Sequence, residues 1–230
     1  MTISIPQRLS PVHGATAALG ARYSLLSGWQ VPETYSTVEA ELAAARAGVG
    51  LADISSQGKL YVEGAAAAQA LQAAFGPAPE APGAGTPLPG GYAYRLRPDH
   101  FFLLTAIGAE AQTQAAVQAA VAAGGWFVTV TDVSHGLAGL CLAGPRARAL
   151  LGQLCGLDFS EAAFPNRTVK ATSLAKTKQL ILRQDRGGAP AFSLFGAQSF
   201  AAYVWSAIQT AGHAHGLTPL GLTALTALEG

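Results

Sequence analysis

"LYVEGAAAAQALQAAFG" (residues 60–76) and "LCLAGPRARALLGQLCG" (residues 140–156) are one pattern written twice, and the recurrence decides the fold. Leu60 and Leu140, Gly64 and Gly144, Ala67 and Ala147, Leu71 and Leu151, and Gly76 and Gly156 all pair at a single offset of 80 residues. Each copy reads as a short apolar strand, a glycine turn, an Ala/Leu-rich helix and a stopping glycine.

Before the first copy, "YSTVEAELAAARAGVG" (35–50) predicts a helix. Ser36 and Glu39 have capping-box spacing, Val38, Leu42 and Ala45 form an apolar stripe, and Gly48 or Gly50 ends it. In the copy itself "KLYVEG" predicts a strand with Leu60 and Val62 on one face. Residues 77–91 hold Pro or Gly at nine of fifteen positions and predict a long loop. "YAYRLRPDHFFLLTA" (92–106) predicts a hairpin turning at Pro98-Asp99, "AEAQTQAAVQAAVAAGG" (109–125) a helix and "WFVTVTDVS" (126–134) a strand.

After the second copy, "TVKATSLA", "KQLILR" and "AFSLF" predict strands. "SFAAYVWSAIQTAG" (199–212) predicts a helix with Phe200, Val204, Ile208 and Ala211 on one stripe. The first half therefore reads β-α-β-β-α-β, and the second repeats that start with an extra strand. This is the split βαβ, ferredoxin-like arrangement used twice. The expected fold class is α+β. The expected lobes are 1–135 with its N-terminal arm and 136–230, packed as one body.

The totals exclude several classes. A net charge of +1 over 230 residues leaves no basic footprint for nucleic acid and no attraction to an anionic membrane. "MTISIPQRLS" lacks the apolar core of a signal peptide, and no run of about 18 apolar residues exists. Cys141 and Cys155 fit no metal spacing and read as buried thiols in a reducing cytosol. The expectation is a cytoplasmic protein.

The weaker signals read as structure. "HAH" (213–215) has no third ligand in sequence and reads as a solvated loop, so no metal is expected. "GAGTPLPGG" does not run from strand to helix, and so makes no phosphate cradle. His135 reads as a turn histidine. Arg183 and Arg186 in "RQDRGG" (183–188) read as a solvated turn, with a bidentate carboxylate grip as the alternative.

Three stretches together resemble a known family: "SPVHGATAALGAR", "GWQVPETY" and "GLADISSQGKLYVEG". They are similar to the opening of the glycine-cleavage T protein, the tetrahydrofolate-dependent aminomethyltransferase. The matching residues include Pro11, His13, Gly28, Trp29, Pro32, Tyr35, Arg46, Asp53, Ser55, Gly58 and Lys59. "LAGPRARALL", "FPNRTV" and "GLTALTALEG" resemble its later motifs. The resemblance implies two α+β lobes of the aminomethyltransferase folate-binding fold around a central pocket, followed by a small β domain. The sequence stops at Gly230 inside the motif that precedes that domain, so the third domain is expected to be absent.

Departures from the family fall on its active residues. Where the family has a catalytic aspartate in a hairpin, "GGYAYRLRPDHFFLL" offers Tyr94 and Arg95, with Asp99 at the turn. Arg95 would repel a cationic amine. Ala189 stands where the resemblance puts a pterin-gripping glutamate, Leu225 where it puts an arginine, and Ser56-Gln57 where it puts His-Met. These losses weigh against tetrahydrofolate as a cofactor. Asp53 and Ser55 read as a turn that caps backbone N–H groups on the way into a strand.

Residues carried over by position to line a ligand pocket are Gln57, Tyr92, Tyr94, Arg95 and Arg183, with the tyrosines stacking on a flat ring. Three functions compete. The first is a non-catalytic subunit similar to the γ subunit of heterotetrameric sarcosine oxidase, with amine-oxidase or other one-carbon enzyme subunits as partners. The second is a tetrahydrofolate-dependent one-carbon transferase, for which Asp185 and Asp99 are the nearby acids. The third is a degenerate relative holding a small anion with Arg95, Arg183 and Arg186.

Overall fold

The computed structural model describes residues 7–228. In chain order the elements are α1 (His13–Ala18), β1 (Arg22–Leu26), β2 (Trp29–Thr34), α2 (Val38–Ala47), β3 (Val49–Asp53) and β4 (Gly58–Glu63). There follow α3 (Ala67–Phe75), β5 (Gly85–Leu88), β6 (Gly91–Arg97), β7 (His100–Thr105), α4 (Glu110–Gly124), β8 (Thr129–Asp132) and β9 (Leu137–Ala143). The rest are α5 (Ala147–Leu154), β10 (Thr168–Leu174), β11 (Thr177–Arg183), β12 (Ala191–Ala197), α6 (Ala201–Gly212), β13 (Leu217–Pro219) and α7 (Leu222–Ala227). The fold is α+β, as the pattern requires.

Two compact units result, and one interrupts the other. The inserted unit is Gln57–Leu137 with Arg167–Lys170; the interrupted unit is Met1–Ser56, Ala138–Asn166 and Ala171–Gly230. The division therefore does not follow 1–135 and 136–230: residues 7–56 cluster with the later part of the chain. The reason is strand pairing. β3 runs straight into β4 in sequence but hydrogen-bonds to β9, while β8 runs into β9 but hydrogen-bonds to β4.

In the inserted unit the sheet order is β5-β6-β7-β4-β8. β7 lies between β4 and β6 and is antiparallel to both, so β4-α3-β6 is a split βαβ, and β8 closes the ferredoxin-like order. Its core is Leu60, Val62, Leu71, Phe101, Leu103 and Val117, drawn from one face of the sheet and from α3 and α4. The interrupted unit has the order β10-β11-β12-β9-β3-β13. The same second-third-first order recurs in β11-β12-β9. There β3 takes the fourth seat and β13 moves one place out, parallel to β3. Leu51, Leu142, Leu150, Ile181, Phe192 and Trp205 belong to its core.

Several local expectations change. The stretch 77–91 contains β5, whose Pro87 is tolerated because β5 is an edge strand that needs no amide donor on its open side. The N-cap of α2 is Thr37, one residue after Ser36, and its hydroxyl accepts from the Ala40 amide. Glu41, only 3% exposed, performs the reach-back expected of Glu39: Oε1 accepts from the Tyr35 and Ser36 amides and Oε2 from the Gly221 amide. On α6 the buried stripe is Ala201, Val204, Trp205, Ile208 and Gly212, and Phe200 stands outside the helix, half exposed. Expectations for the first six residues, and for the last two of "GLTALTALEG", lie outside the described residues.

Candidate functional site

The motif around Asp53 proves to be half of a pair. In the interrupted unit the Ser55 amide donates to Asp53 Oδ1 at 3.0 Å, and Ser55 Oγ accepts from the Gly139 amide at 3.1 Å and donates to the Gly139 carbonyl at 3.3 Å. In the inserted unit the Ser134 amide donates to Asp132 Oδ1 at 2.8 Å, and Ser134 Oγ accepts from the Lys59 amide at 2.9 Å and donates to the Lys59 carbonyl at 3.4 Å. Asp53 stands opposite Leu140, and Asp132 opposite Leu60. "DIS" and "DVS" are thus the same Asx turn and strand clamp built twice. Because Asp132 does this at an exposed strand end, the arrangement needs no catalytic role to explain it.

On the inserted unit's sheet, Tyr92 and Tyr94 alternate onto the face opposite the helices, with ring centroids 6.2 Å apart and planes 27° apart. Tyr94 is fully buried, and its ring covers Gly85 so closely that a Cβ there would lie 2.4 Å from Cε1. It is packed against its own sheet and does not offer an open stacking surface. Lys59, fully buried, donates from Nζ to the Gln57 carbonyl at 2.8 Å. Gln57 Oε1 is buried with no hydrogen-bond partner among the described residues.

Arg95 does not join the tyrosines. Alternation turns it to the helix-side face opposite Phe101, where its guanidinium lies 5.3 Å from that ring centroid. It donates to the carbonyls of Pro79, Glu80 and Pro98, and so ties down the chain before β5. Asp99 is exposed at the hairpin turn.

Arg183, in the interrupted unit, is not a solvated turn residue. It is 1% exposed at the end of β11. Nε and Nη2 grip Asp185 at 2.9 and 2.6 Å, Nη2 also reaches Glu161 at 2.6 Å, and Nη1 donates to the Phe164 carbonyl at 2.5 Å. The bidentate alternative is realised, with an internal carboxylate. The Asp185 hydrogen bond raises the Arg183 pKa further, and the Arg183 hydrogen bond holds the Glu161 carboxyl below its usual range. Gly187 and Gly188 follow, both at positive φ (51° and 79°), and let the Arg186 and Ala189 backbones pair across a tight turn. Arg183, from the carboxylate-gripping expectation, therefore has Nε, Nη1 and Nη2 all engaged by protein acceptors, with Asp185 as its bidentate partner. Arg95, from the small-anion expectation, has Nη1 and Nη2 engaged, while its Nε is buried with no partner among the described residues.

Two groups escaped sequence reasoning. Glu110 opens α4, where an acid reads as ordinary dipole pairing, yet its Oε2 is buried with no partner among the described residues. It sits beside Gly58, where a Cβ would meet Thr105 Oγ1 at 2.2 Å and Glu110 Cβ at 2.7 Å. Tyr35 is the second. Burial, then the Asp53 charge, pushes its phenol far above the usual tyrosine range, and its hydroxyl is buried with no partner among the described residues.

Among the described residues no cluster of three metal-ligating side chains occurs, and no helix is long and apolar enough to cross a membrane. His213 and His215 lie in a short 3-10 turn, and His215 Nε2 is 2.9 Å from Gln153 Nε2.

Two units, each with ferredoxin-like strand order, define an α+β fold. The chain belongs to the GCVT N-terminal domain family, whose pattern matches residues 12–229. An aminomethyltransferase of Shouchella clausii is 31% identical over 235 residues, covering 96% of this chain and 62% of that protein. One from Saccharopolyspora erythraea is 28% identical over 228 residues, covering 94% and 61%. The chain thus spans about three fifths of the length of these relatives. Among solved structures, the glycine cleavage system aminomethyltransferase T of Bartonella henselae superposes with a TM-score of 0.81 at 22% identity, covering 96% of this chain and 62% of that one. A chain of heterotetrameric sarcosine oxidase from Corynebacterium sp. U-96 superposes with a TM-score of 0.69 at 22% identity, covering 92% and 97%.

Proposed function

We propose that this chain is a binding or scaffolding subunit on the aminomethyltransferase fold, in the manner of a sarcosine oxidase γ subunit, and does not itself transfer a one-carbon unit. The observation that carries the reading is the closed Arg183–Asp185–Glu161 network. It uses the donors and the acid that a folate-linked reaction would need at that turn. Leu225, where the resemblance expects an arginine, is buried apolar core. The residues present do not fit tetrahydrofolate, and no step is derived through it. Of the positions carried over for a ligand, Gln57 and Tyr92 keep a role in this reading as small-molecule contacts. Partners are flavin amine-oxidase or other one-carbon enzyme subunits. Support comes from the heterotetrameric chain that the fold covers almost end to end, and from Leu25 and Leu26, which stay 59% and 37% exposed at the β1–β2 hairpin. The two cysteines, buried and in no disulfide, suit a reducing cytoplasm.

A second reading, tetrahydrofolate-dependent aminomethyl transfer, is favoured by the names of the curated relatives and by the unpartnered Glu110 carboxylate oxygen. Calorimetric titration with 5-formyltetrahydrofolate separates the two. The subunit reading expects no saturable heat at millimolar ligand, and capture of an amine-oxidase subunit by the tagged chain from its native host. Micromolar binding that Glu110→Gln abolishes would establish the transferase instead.

A further inference from the structure

We propose that the open edge of β8 is a self-docking strand: two copies of this chain pair there, antiparallel about a twofold axis, with Val130 facing Val130. β8 ends its sheet, with β4 on one side and no strand on the other. Antiparallel alternation fixes which of its backbone groups look outward. The Val133 amide donates to the Lys59 carbonyl at 2.9 Å, so Lys59 and Val133 are a hydrogen-bonded pair, and by alternation so are Tyr61 with Thr131 and Glu63 with Thr129. The amides and carbonyls of Val130 and Asp132, and of Val128 just before the strand, therefore point to the open side. Gln114 marks the same direction. Its Nε2 reaches from α4 to the Val130 carbonyl at 3.2 Å, a side-chain stand-in for a neighbouring strand.

The other edges of the two larger sheets are blunted, and β8 is not. β5 carries Pro87, β13 is three residues long and ends on Pro219, and β10 carries Lys170. "WFVTVT" (126–131) holds no charge, proline or glycine and consists of aromatic and β-branched residues. Thr129 and Thr131 are exposed, and Phe127 is 94% exposed. The stretch also fits itself. In antiparallel register about Val130, Thr129 faces Thr131 of the second copy, Val128 faces Asp132 and Phe127 faces Val133. Threonine pairs, and an aromatic beside a β-branched residue, are favourable cross-strand neighbours, and no like charges meet. The facing pairs Val130–Val130 and Val128–Asp132 are then the hydrogen-bonded ones, so every outward amide and carbonyl finds a partner. Such an isologous contact uses up the open edge of both copies and closes at two. It rests on the inserted unit alone, and stands whether the subunit reading holds or fails.

The test uses the whole chain, labelled with 15N, from about 20 µM to about 1 mM. Sedimentation velocity should show a monomer–dimer equilibrium with half-association at roughly 0.05–1 mM, because so short a contact falls at the weak end of interfaces. Over that range the amide signals of Val128, Val130 and Asp132 should shift far more than those of Thr129 and Thr131. Thr129→Glu with Thr131→Glu sets like charges opposite one another and should abolish the dimer, and so should Thr129→Lys with Thr131→Lys. At low salt a mixture of the two variants should associate about fivefold more tightly than the unaltered chain. Gln114→Ala, which leaves the Val130 carbonyl waiting for a donor, should tighten self-association several-fold. A chain that stays monomeric at about 1 mM would overturn the proposal. A dimer that survives in both charged variants, or a mixture that associates no better than either alone, would place the contact elsewhere and overturn it as well.

Discussion

Asp53-Ile54-Ser55 and Asp132-Val133-Ser134 are one device in two settings. Both form an Asx turn, both clamp the backbone at the first strand of the split βαβ in their own unit, and both sit in the same register. Their surroundings differ. β3 is buried at all five positions because β13 covers its outer side, whereas β8 is an edge strand and largely exposed. The difference teaches that the family's sequence signature at Asp53 marks a strand exchange. A motif that is interior in one unit and peripheral in the other is held by architecture before any chemistry.

The largest expected effect lies outside both clamps and measures how far the interrupted unit is closed. Arg183→Met removes the guanidinium from the Asp185 carboxylate, leaving it only the long Ala191 amide contact at 3.4 Å, and takes a donor from the Phe164 carbonyl. Urea unfolding should show a loss of about 3–5 kcal/mol, because removing one partner strands a largely buried charge. A loss below about 1 kcal/mol would mean the guanidinium is replaceable by water, and Arg183 would return as a candidate ligand residue.

The clamps themselves come next, and they sharpen the comparison directly. Ser55→Ala should cost about 2 kcal/mol and Ser134→Ala about 1 kcal/mol, since each strands one buried amide while the Gly139 and Lys59 carbonyls keep the Ile54 and Val133 amides, and local opening of the edge strand β8 lets water in more readily. Paired denaturation curves decide it. Equal costs, or a larger cost for Ser134→Ala, would show that the edge position of β8 does not relieve the loss.

Much of this was legible from sequence, and the failures have physical causes. The offset of 80 residues identifies β4 with β9 and α3 with α5, and the ferredoxin-like order follows. The clamps stayed hidden because they pair at 79, one residue out of step with the repeat that follows them. The domain division failed for the same reason that the clamps exist: sequence adjacency cannot say that β3 prefers β9 over β4. β5 was masked by prolines and glycines that an edge strand tolerates, one of which, Gly85, makes room for Tyr94. For the candidate site, position along β6 put Tyr92, Tyr94 and Arg95 together, and period-two alternation separates them. Arg183 looked like a turn residue because burial of an arginine depends on acids supplied 22 and 2 positions away, Glu161 and Asp185.

The smallest effect tests whether the two units also differ in what acid does to them. In the inserted unit, burial holds His100 below its ordinary 6.5, against the opposing pull of Glu63. The unfolded chain then takes up a proton before the folded one does, so stability falls as pH drops below about 6.5. In the interrupted unit Glu161 is held below its ordinary 4.5 by Arg183. A depressed carboxylate contributes stability that is present above about pH 4.5 and is lost only as pH falls through the folded value. Hydrogen exchange, corrected for intrinsic rates, should therefore show β4 and β7 losing protection between pH 7 and 5 while β11 and β12 hold. His100→Gln should remove the first loss and leave the second. Loss of protection in both units over one window would mean that they open together, and the contrast between a buried and a peripheral copy of the same motif would then carry no energetic weight.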